Sequence, residues 1–467
     1  MKQIFTLLSL FCLAGVLQAE DAKPTKEKLI SYYDDVRPIF QANCQGCHQP
    51  AKQGGEYVMT NFQQLLKGGE SGEPALVADK PDESYLVKML IPTDGEAEMP
   101  KGKPALSETD RNTISTWIAQ GAKDNTPASA ITKYDMDHPP AYELPPVLTS
   151  VDYSPDGKTL AVSGYHEVLL HKADGSGIAA RLVGMSERIE AAKFSPDGKF
   201  LAVAGGSPGR LGELQIWSLE KNELLHAIPV SYDTIYGASW SPDGKLIAVG
   251  CGDNTVRAFE MKTGKQVMFS GAHNDWALDT SFTNDGKHVM SVGRDMTVKL
   301  TEVATQRFID NITSITPGAL KGGLSAVDTH PKEDQILIGG ADGVPKIYRI
   351  FREKARKIGD DFNLIRKFPQ MPGRIYDVAF NHDATQIVAC SSFNGTGSVQ
   401  LFNAADGKLV FELEGHQEPV YSVTFSPNGK QIASVGFDGL VHINDTTTGK
   451  LIRTFSSVPT TAEVAGK

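Results

Sequence analysis

Cys44, Cys47 and His48 stand together in the run Cys44-Gln45-Gly46-Cys47-His48. Two thiols separated by two residues, with an imidazole immediately after, is the spacing used to attach haem c. On one short helical turn each thiol can add to a haem vinyl group, and the following imidazole then faces the iron. Three other uses of a cysteine pair stand beside this one. A structural zinc site wants four ligands, commonly a second C-x-x-C pair, and the chain has none. A dithiol redox pair belongs at a strand-to-helix turn in a βαβ pattern, which the flanking residues do not form. A plain disulfide is the third.

A second axial ligand is expected from the same region. Methionine sulfur is soft and uncharged; it raises the potential and fills the last coordination position. Met99, in Glu98-Met99-Pro100-Lys101-Gly102, lies on a loop-like stretch where a methionine has little packing purpose, and it is the expected distal ligand. Met59 and Met89 compete. Met89, in Tyr85-Leu86-Val87-Lys88-Met89-Leu90, reads as part of an amphipathic helix and is better explained by core packing.

These residues sit in a recognisable order. Val36-Arg37-Pro38-Ile39-Phe40, the Cys44–His48 motif and Lys67-Gly68-Gly69-Glu70-Ser71-Gly72 come first. Ser84-Tyr85-Leu86, Met99-Pro100 and Trp117-Ile118-Ala119-Gln120-Gly121-Ala122 follow. The stretch from Asp34 to Ala122 resembles the cytochrome c domains first noted in planctomycete bacteria. The resemblance implies a small all-α haem fold with one covalent haem c, His48 proximal and Met99 distal. The elements that would position the motif are visible in the residues themselves. Asp34–Ala42 can form a first helix. Ser107-Glu108-Thr109-Asp110 is an N-terminal capping pattern, and Ile114, Trp117 and Ile118 then recur at helical spacing on one face.

From Val147 onward the chain repeats. Ser154-Pro155-Asp156-Gly157, Ser195-Pro196-Asp197-Gly198 and Ser241-Pro242-Asp243-Gly244 close an alternating apolar strand. Degenerate copies occur at Thr283-Asn284-Asp285-Gly286, His330-Pro331-Lys332 and Asn381-His382-Asp383, and a clean one at Ser426-Pro427-Asn428-Gly429. The copies lie between 41 and 51 residues apart. Seven units of that period predict an all-β, seven-bladed propeller, and the turn resembles that of the WD-repeat family. The Trp-Asp pair that names the family has decayed to Phe259-Glu260, Thr301-Glu302 and Asn444-Asp445. Asp253, Asp295, Asp342 and Asp438 could suggest an acidic metal cluster, but they fall at equivalent turns of different units, where turn capping explains them. His273 and His416 match the family's Gly-His position and are read as structural. Cys251 and Cys390 fall in units three and six, too far apart to join, so two buried free thiols are expected.

The expected organisation is thus multidomain. Residues 1–19 form a signal peptide, 30–122 the cytochrome c domain, 123–146 a proline-rich semi-rigid spacer, 147–457 the propeller and 458–467 a fraying tail. How the ring closes is left open, because no obvious strand precedes Val147. Met1–Ala19 has Lys2, an apolar run from Ile4 to Val16 and a small residue at its end, the pattern of a secretory leader. A retained membrane anchor is the alternative, but the run is too short to span. This address predicts export to a bacterial periplasm.

The chain is 467 residues with 46 Lys+Arg against 56 Asp+Glu, a formal charge of −10. An acidic chain without a basic block is a poor partner for nucleic acid, and five cysteines do not make a disulfide scaffold. Two classes of function follow. The first is an electron carrier whose propeller docks redox partner proteins. The second is an oxidoreductase whose propeller bears an active site feeding the haem. A haem-based redox or gas sensor is a variant that needs Met99 to leave the iron. A pyrroloquinoline quinone propeller would show recurring Trp-bearing motifs, and only Trp217, Trp240 and Trp276 occur in the repeats. The carrier is the preferred reading.

Overall fold

The computed structural model describes residues 28–49, 52–60, 62–127, 134–314, 321–355, 357 and 359–460. The leader expected over 1–19 lies outside the described residues.

A small helical unit comes first. Ser31 caps its opening turn, its Oγ accepting from the Asp34 amide at 2.9 Å. A single π turn over Tyr32–Val36 then runs into α1, Arg37–Asn43, with the Arg37 amide donating to the Tyr32 carbonyl. The sequence predicts one helix over Asp34–Ala42; the wider first turn arises where Pro38 enters the next one without an amide hydrogen to give. Helices α2 (Phe62–Lys67), α3 (Tyr85–Leu90) and α4 (Glu108–Ala119) complete the unit. Helix α4 begins as its residues demand: Ser107 Oγ accepts from the Asp110 amide at 3.1 Å. Its stripe of Ile114, Trp117 and Ile118 is buried with Val36, Phe40 and Leu65 in one core. Trp117 stacks on Tyr32 at 5.3 Å between centroids, and its indole N–H donates to the Lys123 carbonyl at 3.0 Å. Full burial of each such side chain contributes about 1.5–3 kcal/mol.

The remainder is a ring of four-stranded antiparallel blades. Five are separate sheets, and blades one and two share a seven-stranded one. The sharing has a simple cause: Ile178–Phe194 is one uninterrupted strand of 17 residues, outer in blade one and inner in blade two. Seven blades result.

The repeated turn explains itself in hydrogen bonds. Ser154 Oγ donates to Asp156 Oδ1 at 2.7 Å and accepts from the Thr159 amide at 2.9 Å, while Gly157 takes φ 70°. Ser195, Ser241, Thr283 and Ser426 repeat the pattern. At the degenerate His330 the imidazole Nδ1 takes the acceptor role, receiving the Lys332 and Glu333 amides. Neighbouring blades are stapled by inner-strand carboxylates. Asp152, Asp279, Asp328 and Asp377 accept from the amides of Phe194, Val327, Phe380 and Val423 on the next blade.

The ring closes without borrowing a strand. Blade seven supplies its own outer strand, Leu451–Ser456, so none is needed before Val147. The seam is held by the Leu148 amide on the Gly436 carbonyl at 2.9 Å and by His171 Nε2 at 2.8 Å from the Ser457 carbonyl. Tyr142, Leu169 and Val458 form a small apolar cluster across it. The tail expected to fray from Val458 therefore begins as structure: Val458 is buried beside Ser457, because the two cover the joint; residues 461–467 lie outside the described residues. The spacer is likewise anchored at its second half. Tyr142 donates to the buried Glu167 carboxylate at 2.7 Å, and Arg181 bonds both that carboxylate and the Pro140 carbonyl.

Candidate haem-attachment site

The motif sits where α1 unwinds. The Cys44 and Gln45 amides both donate to the Phe40 carbonyl, and those of Cys47 and His48 both fall on the Cys44 carbonyl at 3.0 and 3.1 Å. One turn thus carries both thiols and the imidazole. Cys47 is exposed; Cys44 is half-buried against the helical core, and burial pushes its thiol up to about 12. Both thiols are free.

His48 is held by its surroundings rather than by a charged partner. Its Nδ1 lies 3.2 Å from the Tyr57 carbonyl oxygen and its ring meets the Tyr57 ring edge-on at 5.6 Å. Burial lowers the imidazole's affinity for protons, which favours the neutral form that binds metals. With the proton on Nδ1 and given to Tyr57, Nε2 keeps its lone pair. The backbone beyond the motif folds back on it: the Met59 amide donates to the His48 carbonyl at 2.8 Å, and Gln45 Nε2 donates to the Met59 carbonyl at 2.9 Å.

Met99 lies half-buried on its loop and packs against the same core that Cys44 and Tyr57 border; its amide donates to the Met89 carbonyl at 3.0 Å. Met59 is 1% exposed and belongs to the core. Met89, expected to pack inside, is half-buried at the edge, because α3 turns Leu86 and Leu90 inward instead.

Residue-family comparison follows the same division of the chain. Residues 44–102 match the family described as Planctomycete cytochrome C. Residues 407–445 match "WD domain, G-beta repeat", and 233–278 match the "Anaphase-promoting complex subunit 4 WD40 domain". The chain joins a planctomycete-type cytochrome c domain to a WD-repeat propeller. Among curated relatives it is 24% identical over 255 residues to Periodic tryptophan protein 2 of Arabidopsis thaliana, covering 52% of this chain and 26% of that one. It is 28% identical over 118 residues to WD repeat-containing protein 1 of Mus musculus, 25% of this chain and 18% of the relative. The chain thus spans about a quarter or less of the length of these two relatives.

In the WD-repeat propeller the polar residues singled out from the sequence are occupied structurally. His273 Nδ1 lies 3.0 Å from Asp295 and its Nε2 is 2.8 Å from Ser291 Oγ, all within blade four. His416 Nε2 is 2.7 Å from Ser434 Oγ in blade seven. Asp253 pairs with Arg257, Asp342 with Lys346 and Asp438 with His442. Among the described residues no three His, Cys, Asp or Glu side chains gather to hold a metal ion directly. Cys251 and Cys390 are buried free thiols in blades three and six.

The sequence reading did not single out Tyr57, Gln49 or Glu213. Tyr57 contributes a backbone carbonyl, which any residue type could supply. Gln49 and Glu213 meet across the two domains: the Gln49 side-chain amide lies against the Glu213 carboxylate of blade two. No local pattern announces a contact between positions so far apart.

Proposed function

We propose that the protein is an exported c-type cytochrome that carries single electrons between protein partners, with its propeller as the docking platform. One haem c would be bonded by Cys44 and Cys47, with His48 and Met99 as iron ligands. The observation that carries this reading is the turn itself: two free thiols and a neutral imidazole, Nδ1 held by the Tyr57 carbonyl, beside an apolar core. That donor set fits the group. Bound there, it supplies one-electron oxidation and reduction of iron.

The chain's own residues do the rest. Cys44 and Cys47 give two points of attachment on one turn. Tyr57 fixes the orientation of the imidazole, and Met99 offers a thioether from the loop that borders the same core. Leu65, Leu86 and Leu90 line that core with apolar surface, which keeps water from the buried side. In the propeller, Asp253, Asp295, Asp342 and Asp438 are committed to turns of their own blades, which favours docking over catalysis there. The WD-repeat relatives support protein interaction as the propeller's role. The leader expected over Met1–Ala19 supports placement in the periplasm.

The test is the absorption spectrum of mature protein made with the cytochrome c maturation machinery, oxidised, reduced and then exposed to carbon monoxide. Covalent low-spin haem with a Met–iron charge-transfer band and no response to carbon monoxide is the expected result. Prompt carbon monoxide binding would favour the sensor or enzyme readings, and absence of haem would overturn the proposal.

A further inference from the structure

One side of the attachment turn is seated on blade two, while Cys47 stays exposed. Gly46, between the two cysteines, lies so close to the outer strand Glu223–Ser231 that a Cβ there would collide with the Ala227 carbonyl oxygen, with Pro229 Cδ at 3.7 Å. Its backbone is outside the left-handed region, so the glycine is required for space alone. Nearby, Tyr33 of the helical domain has Arg37 over its ring at 5.0 Å and Arg210 of blade two at 6.0 Å.

Gln49 follows His48 directly and is 1% exposed. Its Nε2 donates to the Gln45 carbonyl at 3.1 Å, and the same side chain reaches Glu213. Glu213 is 3% exposed and also accepts from Ser186 Oγ at 2.8 Å and Gln215 Nε2 at 2.7 Å; Gln215 Oε1 accepts from the Trp217 indole at 2.9 Å. No cation pairs with this carboxylate among the described residues. A buried carboxylate is costly unless polar groups surround it; Ser186 and Gln215 donate to this one from blade two, and the Gln49 amide of the other domain lies beside it. A continuous run of contacts therefore leads from blade two to the imidazole: Glu213, Gln49, Gln45, Met59 and His48.

We propose that blade two is part of the haem site, with Glu213 as a positioning residue that holds Gln49 and, through it, the Cys44–His48 turn. The Gly46–Ala227 contact sets how closely the turn seats. This rests on the haem reading above. It also gives the outer edge of blade two a partner within the same chain and leaves the docking of other proteins to the remaining surfaces.

The test compares full-length wild type with Glu213→Ala, Glu213→Gln and Gly46→Ala, all matured with haem. Haem content, midpoint potential, the Met–iron band and tryptic cleavage between the domains are read for each. Glu213→Ala and Gly46→Ala are expected to shift the potential, weaken the band and speed cleavage within 123–146 several-fold. Glu213→Gln keeps an acceptor oxygen for Gln49 and is expected to stay close to wild type. An unchanged potential and band in Glu213→Ala and Gly46→Ala overturns the proposal and leaves the haem reading standing. Faster cleavage with an unchanged potential and band also overturns it, since the contact would then join the domains without positioning the turn. Wild type without haem overturns the haem reading and this proposal with it.

Discussion

In the propeller a few hydrogen bonds recur from blade to blade, whereas around the Cys44–His48 turn each polar contact occurs once. Ser154 with Asp156, Ser195 with Asp197 and Ser241 with Asp243 make the same turn in successive blades. His48 with Tyr57, Gln45 with Met59 and Gln49 with Glu213 have no second copy. Repetition lets individual signature residues decay. Phe259-Glu260 and Thr301-Glu302 replace the Trp-Asp pair without disturbing their strands, Val256–Glu260 and Val298–Glu302. On the haem reading the single-copy site has no such tolerance, because the spacing of its thiols and imidazole would be the chemistry.

The largest test of that contrast is loss of the cofactor. Replacing Cys44 and Cys47 together by Ala should abolish covalent haem, read as haem retained on the denatured chain, while hydrogen exchange across the blades stays at its wild-type pattern. Retention of covalent haem would break the assignment of the motif. Next, Trp117→Ala should cost about 3–5 kcal/mol, since the ring is buried and stacked on Tyr32. Exchange should quicken in Arg37–Asn43 and Glu108–Ala119 and not in the blades; loosening of both domains alike would mean that they fold as one unit.

A smaller effect is expected from Asp295→Ala. Its carboxylate is held well below the usual range: burial opposes ionisation, but hydrogen bonds from His273, Asn274 and Thr297 outweigh it. The depressed value means stability is present above the unfolded carboxylate's pKa and is lost as pH falls through the folded one. At neutral pH the substitution should cost about 1–3 kcal/mol, with faster exchange confined to blade four. Spread to all seven blades would show that repetition does not localise damage.

The last effect is confined to the pH dependence, in Asp279→Asn. Burial pushes this carboxyl up to about 7, with Asp377 adding to the rise while the Val327 amide, Lys193 and the Thr280 amide oppose it. The folded state therefore holds a proton that the unfolded chain has already released. Its contribution to stability is complete below about pH 4 and is lost as pH rises towards about 7. Against wild type the Asn variant should gain roughly 4 kcal/mol between pH 4 and 8, measured as the difference in denaturation midpoints. A pH-independent difference would show that the carboxyl is ionised throughout.

Much of the molecule is legible locally. The Ser107 cap and the Ile114, Trp117, Ile118 stripe are short-range patterns, and α4 forms where they place it. Each Ser-Pro-Asp-Gly turn carries its own hydroxyl, carboxylate and left-handed glycine. The π turn at Tyr32, the merging of two blades through Ile178–Phe194 and the burial of Ser457 and Val458 are not legible in the same way. Each depends on a neighbour that the local pattern does not contain.

The sequence by itself determined the haem-attachment spacing, the number of blades and the turn chemistry, because these follow from residue types within a few positions of one another. Only the tertiary structure decided that the seam is covered by Tyr142 and Val458 and that the Cys44–His48 turn is seated on blade two. Ring closure and domain seating bring together groups from distant parts of the chain, and such pairs are selected by shape, desolvation and hydrogen-bond satisfaction in the folded molecule.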